Sequence, residues 1–111
     1  METRKEKIKR EIGNFVKVLK EKGDLDGAKL FSSGADTACI EKEMPICVFL
    51  SICLNESHRL GITIESGADP NFQDLLGYSA LHYAAIHGKR DQIELLLNKT
   101  KELGIELDVN L

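Results

Sequence analysis

No apolar run in these 111 residues approaches the ~20 needed to cross a bilayer, so no transmembrane helix is expected. The N-terminus is charged and lacks the apolar core of a signal peptide, which argues against secretion by that route. No Cys-x-x-Cys occurs, and the three cysteines, Cys39, Cys47 and Cys53, are odd in number, so neither a disulfide framework nor a zinc site is indicated. There is also no Gly-rich phosphate loop. The cysteines, His58, His82 and several acids are raw material for catalysis, but nothing places a base beside a nucleophile with a third group to orient it. Catalytic and metal residues are therefore assigned as none, and the chain is expected to be no enzyme, with no cofactor and no small-molecule substrate. Cys47 and Cys53 fall among Val, Phe, Leu and Ile, where free cysteine behaves as a small core residue. The expectation is buried, reduced thiols in a cytoplasmic setting, with the nucleus also open.

Unopposed charge of one sign is scarce as well. The chain carries a net −3, divided unevenly. Residues 1–22 hold eight Lys/Arg against four Glu, and the remainder holds seven against fourteen Asp/Glu. A basic start of this kind could touch nucleic acid or an anionic membrane, but Glu2, Glu6, Glu11 and Glu21 are interleaved with the lysines. Glu2 and Glu6 stand at helical spacings from Lys9 and Arg10, as on a solvated helix face. A dominant phosphate contribution needs more unopposed charge, so nucleic acid and membrane are not the expected partners.

What is present is a repeat. Gly34-Ala35-Asp36 and Gly67-Ala68-Asp69 lie 33 residues apart. The second copy opens a run from Gly67 through Asp69-Pro70-Asn71-Phe72-Gln73-Asp74 and Gly77-Tyr78-Ser79-Ala80-Leu81-His82-Tyr83-Ala84-Ala85 to Gly88. This stretch closely resembles the ankyrin-repeat family, with Ser79-Ala80-Leu81-His82 where the family carries T-P-L-H. The resemblance implies an all-α solenoid of stacked helix-turn-helix units joined by β-turn or hairpin loops. It also implies binding of a protein partner through the turn tips and the exposed face of the first helices.

The residues of the run suit those tasks. Asp69 and Asn71 bond readily to nearby backbone in turns, and Gly77 can take a positive φ. Ser79 is a natural N-cap. Leu81, Ala84 and Ala85 fall at i, i+3 and i+4, one helical face, and Ile93, Leu96 and Leu97 repeat the spacing. Gly88 fits a left-handed C-cap. In the family, the histidine at His82 ties neighbouring turns together, so a structural role is implied here. His87 lies five residues on, ~140° around a helix from His82, so the two do not form a metal pair.

The period divides the chain into 1–33, a diverged N-terminal capping repeat; 34–66, a second repeat; 67–103, a third; and 104–111, the start of a fourth turn. In the first, Ile8, Ile12, Phe15, Val16 and Leu19 mark an amphipathic helix that Gly23 ends. Asp24 then caps a short helix with Leu25, Ala28, Leu30 and Phe31 as apolar contacts. In the second, Met44-Pro45-Ile46-Cys47 replaces T-P-L-H, with Pro45 suited to the first helical turn. The helix that follows, to about Leu54, is apolar nearly all round and reads as buried on both sides. Asn55-Glu56-Ser57 is the expected turn before a helix weakened by Gly61 and Ile62-Thr63-Ile64. The residues around 98–103 would lengthen the last helix by about one turn. A longer natural protein is favoured over a short complete one, because the last repeat shows no polar cap.

The variable positions of the family pattern fall on Leu75, Leu76, Tyr78, Ile86 and His87. Apolar and aromatic groups clustered on an exposed turn mark a contact surface, and tyrosine is enriched among binding hot spots. Phe72 is a secondary candidate. The expected function is a non-enzymatic interaction module or scaffold. The alternative is an N-terminal targeting or autoinhibitory ankyrin segment of a larger enzyme or effector.

Overall fold

The computed structural model describes residues 1–35, 37–54 and 56–109, without the side chain of Ala35. Parts of the turns expected at Gly34-Ala35-Asp36 and Asn55-Glu56-Ser57, and the chain end, fall on Asp36, Asn55, Asn110 and Leu111, which lie outside the described residues.

Ile8, Ile12, Phe15 and Leu19 recur along one stripe and are buried in helix α1 (Arg4–Glu21). Thr3 caps it: its side chain accepts from the Glu6 N–H, and Glu6 returns a bond to the Thr3 N–H. Glu6 therefore caps, while Glu2 alone pairs with Arg10, at 2.9 Å. Gly23, at φ 81, ends α1, and the Asp24 N–H reaches back to Leu19 O at 2.9 Å. Helix α2 (Leu25–Leu30) follows, capped by Asp24 as expected, and the chain then kinks at Gly34, which takes φ 113. Ala28 and Phe31 are buried, but Leu25 and Leu30 face outward, because no element covers that side of α2.

Next comes a short helix not foreseen from the period, α3 (Thr37–Glu41), with Cys39 buried beneath it. Helix α4 (Ile46–Phe49) starts after Pro45, which holds the N-cap position, and runs into a wider π-type segment, Leu50–Leu54. Ile46, Cys47, Val48, Leu50 and Ser51 are buried, as the all-round apolar pattern predicts. Cys53 is exposed, contrary to expectation: it falls on the outer side of the wider turn. The Cys47 thiol is raised by burial and donates to Asp69 O at 3.4 Å.

Helix α5 (Ser57–Glu65) forms despite its weak propensity. Leu60, Thr63 and Ile64 are buried, and Gly61 faces Leu95 of the last helix, where a Cβ would meet it at an ordinary contact distance of 3.7 Å. Helices α6 (Ala80–Ile86) and α7 (Arg90–Glu102) close the stack, and α7 is about one turn longer than α5. The extra turn brings Lys99 to Glu65, which also meets Lys22 of the first pair at 2.8 Å. The described residues thus make antiparallel pairs α1/α2, α4/α5 and α6/α7, with α4 packed on α6 and α5 on α7, and contain no strand.

Charges sort by burial. The Arg59 guanidinium, 2.9 Å from Asp24, holds that carboxyl below its ordinary value, and Lys22 and then Lys99 do the same for Glu65. Both groups contribute stability above the ordinary carboxylate range and lose it as pH falls through their lowered values. Glu11 behaves oppositely. In the sequence it is one of the acids interleaved with the lysines, yet it is 2% exposed, because the turn at Asp69 folds over α1 and donates its N–H to Glu11 Oε1 at 3.3 Å. Burial pushes this carboxyl up. A folded value above the unfolded one stabilises the protonated form at low pH, and that stability is lost as pH rises through the raised value. Glu11→Gln keeps the acceptor and removes the buried charge. The variant should melt above wild type at pH 7 and match it near pH 3; a variant less stable at pH 7 would contradict the assignment.

Candidate partner-binding surface

The loop between α5 and α6 is built around one buried carboxylate. Asp74 is 8% exposed. Its Oδ1 accepts from the N–H groups of Leu76 and Tyr78, both at 2.9 Å, and its Oδ2 accepts from the Tyr83 hydroxyl of α6 at 2.5 Å. The Asp74 N–H donates to Tyr78 O, and the Gly77 N–H, at φ 87, returns to Asp74 O. Gln73 Nε2 closes on Gly77 O at 2.8 Å. With its amides tied inward, the loop projects Leu75, Leu76 and Tyr78 outward, at 67%, 76% and 39% exposure. An ionised acceptor makes the stronger class of hydrogen bond, about 1.5–3 kcal/mol each. Asp74→Ala should therefore cost about 2 kcal/mol or more and speed amide exchange at Leu76 and Tyr78, with helical circular dichroism unchanged.

Tyr78 extends this tip onto α6. Its ring lies 5.5 Å from His82 and 5.4 Å from Tyr83, edge-on to the latter. Tyr83 in turn stacks on His87 at 6.3 Å. Burial, then the bond to Asp74, pushes the Tyr83 hydroxyl up to about 12, so it stays a donor at neutral pH. Ile86 at the end of the same helix and His87 at its C-cap are exposed. Five expected residues, Leu75, Leu76, Tyr78, Ile86 and His87, are thus open to solvent along the tip and α6. Tyr83, which links tip to helix, was not singled out: it occupies a variable position of the repeat pattern and carries no sequence signal of its own.

Phe72 does not join them. Arg4 and Lys7 of α1 sit over its ring at 4.4 and 4.2 Å. Arg4 also bonds Gln73 O, and Lys7 lies 3.6 Å from Asp69. Phe72 is half-buried and fastens the turn to α1. The same contacts occupy part of the basic N-terminus.

The repeat motif residues hold the frame. Asp69 accepts from the Asn71 N–H at 2.9 Å, and Asn71 bridges forward, donating to Glu106 O and accepting from the Asp108 N–H. Asn71 therefore makes a link to the next turn. The His82 Nδ1 accepts from the Ser79 N–H at 3.0 Å and lies 3.1 Å from the Ser79 hydroxyl, within its own helix cap. Gly67 (φ 102) and Gly88 (φ 64) turn the chain as expected. Ala84 is buried and Leu81 half-buried, but Ala85 is exposed, and Leu97 is 43% exposed where a buried position was expected. Leu81, His82 and Ala85 line an open recess with Asp108 and Val109 of the final turn. Among the described residues, no cluster of His, Cys, Asp and Glu could hold a metal ion, and no helix is long and apolar enough to cross a membrane.

Residues 58–97 match the family model for ankyrin repeats. Over 88 residues the chain is 31% identical to a protein of Acanthamoeba polyphaga mimivirus named for ankyrin repeats, covering 73% of this chain and 11% of that protein. Over 58 residues it is 41% identical to serine/threonine-protein kinase 12 of Arabidopsis thaliana, covering 50% of this chain and 13% of that protein. The chain thus spans about a tenth of the length of these relatives. No solved structure matches.

Proposed function

We propose that this chain, which belongs to the ankyrin-repeat family, is a non-enzymatic module that binds a protein partner through Leu75, Leu76 and Tyr78 at the tip and Ile86 and His87 on α6. Ankyrin repeats are generally protein-interaction modules and typically not enzymes. The observation that carries the reading is the tip itself: two leucines and a tyrosine held in solvent by a buried Asp74 that ties their backbone inward. A pre-ordered apolar tip binds without first losing conformational freedom, which favours affinity. The repeat division proposed is 1–33, 34–66 and 67–103, with the next turn from 104. The buried free thiol Cys47 supports a reducing, cytoplasmic or nuclear setting. Affinity capture from a lysate of the source cell, read by mass spectrometry, tests the function. A protein held by wild type and lost from a folded chain altered at the tip supports it; identical capture by both overturns it.

A second reading places the repeats as a targeting or autoinhibitory segment of a larger enzyme or effector. The identity to a serine/threonine-protein kinase, of which the matched stretch is a small part, supports it. Reading the transcript beyond both ends decides: a continuing frame that encodes a catalytic domain supports this arrangement, and stop codons immediately flanking the 111 residues count against it.

A further inference from the structure

The second helices of the three pairs begin along one edge of the stack, and two of the starts share a backbone conformation. Asp24 before α2 has φ −83 and ψ 74; Lys89 before α7 has φ −85 and ψ 73. Each follows a glycine at positive φ, Gly23 or Gly88. Their side chains are opposite in charge. The Asp24 carboxylate accepts from the N–H of Gly27, the third residue of α2, at 2.9 Å, and its second oxygen accepts from Arg59 Nε at 2.9 Å. Lys89 has no acceptor to offer and makes no cap bond.

At α7 the third residue is Gln92. Its side chain is 1% exposed, and neither Nε2 nor Oε1 has a hydrogen-bond partner. Leaving both halves of a buried amide unpaired carries a desolvation cost that packing alone does not recover. Gln92 lines a recess of about 370 Å³ with Ser57, at the start of α5, and Gly88, Lys89, Arg90 and Asp91. The recess thus joins first-turn backbone N–H groups of a 13-residue helix, the cations Lys89 and Arg90, the latter paired with Glu94 at 3.4 Å, the carboxylate of Asp91, a hydroxyl, and an unpartnered amide.

We propose that this recess binds a phosphate-type oxyanion at the position that the Asp24 carboxylate occupies over α2. The ligand oxygens accept from the Gln92 N–H, as Asp24 does from Gly27, and from Gln92 Nε2. The helix dipole, Lys89 and Arg90 favour negative charge there. A hydroxyl of a monoprotonated phosphate can donate to Gln92 Oε1, which a carboxylate cannot do, so phosphate should bind more tightly than acetate. This site stands apart from the tip surface and from the protein partner proposed for it.

Amide chemical shifts of the 15N-labelled chain, titrated at constant ionic strength, test the proposal with inorganic phosphate, O-phosphoserine and acetate. Saturable shifts confined to Ser57, Arg90, Asp91, Gln92 and the Gln92 side-chain amide are expected with a phosphate. A response to inorganic phosphate assigns a free anion, and a response to O-phosphoserine alone assigns a phosphorylated chain. Lys89→Asp, which installs the cap that α2 has, should weaken binding at least tenfold. Gln92→Leu should do the same while melting at or above the wild-type temperature, which shows that the fold is intact. Absence of saturable shifts with either phosphate, or binding unchanged in folded Lys89→Asp and Gln92→Leu chains, overturns it.

Discussion

A chain carrying Leu75→Ser, Leu76→Ser and Tyr78→Ala should lose partner capture while its helical circular dichroism stays at the wild-type level. The two effects separate because of how the tip is built. Leu75 and Leu76 are 67% and 76% exposed, so truncating them removes little buried area from the fold. The bonds that shape the loop run from the backbone N–H groups of Leu76 and Tyr78 to Asp74, and all three substitutions leave them in place. Only the Tyr78 ring contacts with His82 and Tyr83 are lost, about 1 kcal/mol of stability. In an interface, an apolar or tyrosine anchor costs about 2 kcal/mol or more when truncated. Three together should weaken binding by about a thousandfold or more, with allowance for non-additivity. Surface plasmon resonance against the captured partner, run beside circular dichroism, measures both quantities. Less than a tenfold loss in a folded variant would move the interface elsewhere on the molecule.

The second large effect concerns stability. Phe31→Ala should destabilise the chain by about 3–5 kcal/mol. Phe31 is 1% exposed and stands edge-on to Phe15 of α1 at 5.1 Å and to Phe49 of α4 at 6.3 Å. It is thus the joint between the first helix pair and the second, and its loss leaves a void and removes both ring contacts. Against a total stability of about 5–15 kcal/mol for a domain, the change removes a large share. Urea unfolding followed by circular dichroism should show the midpoint fall sharply. Leu25→Ala on the outer face of α2 is the control, expected within about 0.5 kcal/mol of wild type because Leu25 is 68% exposed. A Phe31→Ala midpoint close to that control would show that the first pair does not depend on this joint.

Much of the architecture could be read from short-range pattern. The spacing of Ile8, Ile12, Phe15 and Leu19, the cap at Asp24, the turns at Gly77 and Gly88 and the added length of the last helix depend on residues a few positions apart. The exposure of Leu75, Leu76 and Tyr78 followed from their place between motif residues whose tasks point inward. The segment before α4 was not legible: Thr37–Glu41 forms a helix where the period suggests only turn and linker. The outward side of Cys53 depends on a π-type widening that shifts helical phase.

The sequence by itself determined the repeat, the pairing of helices and the candidate tip, because backbone conformation and amphipathic faces are set by neighbours in the chain. The tertiary structure alone decided how residues far apart in the chain are used. It laid Arg4 and Lys7 over Phe72, buried Glu11 beneath the Asp69 turn, gave Asn71 the bridge to the next turn, and left the Gln92 amide without a partner at an uncapped helix start. Each of these is a matter of desolvation and charge pairing across the stack. Their magnitudes depend on which groups meet in three dimensions, and no local pattern encodes that.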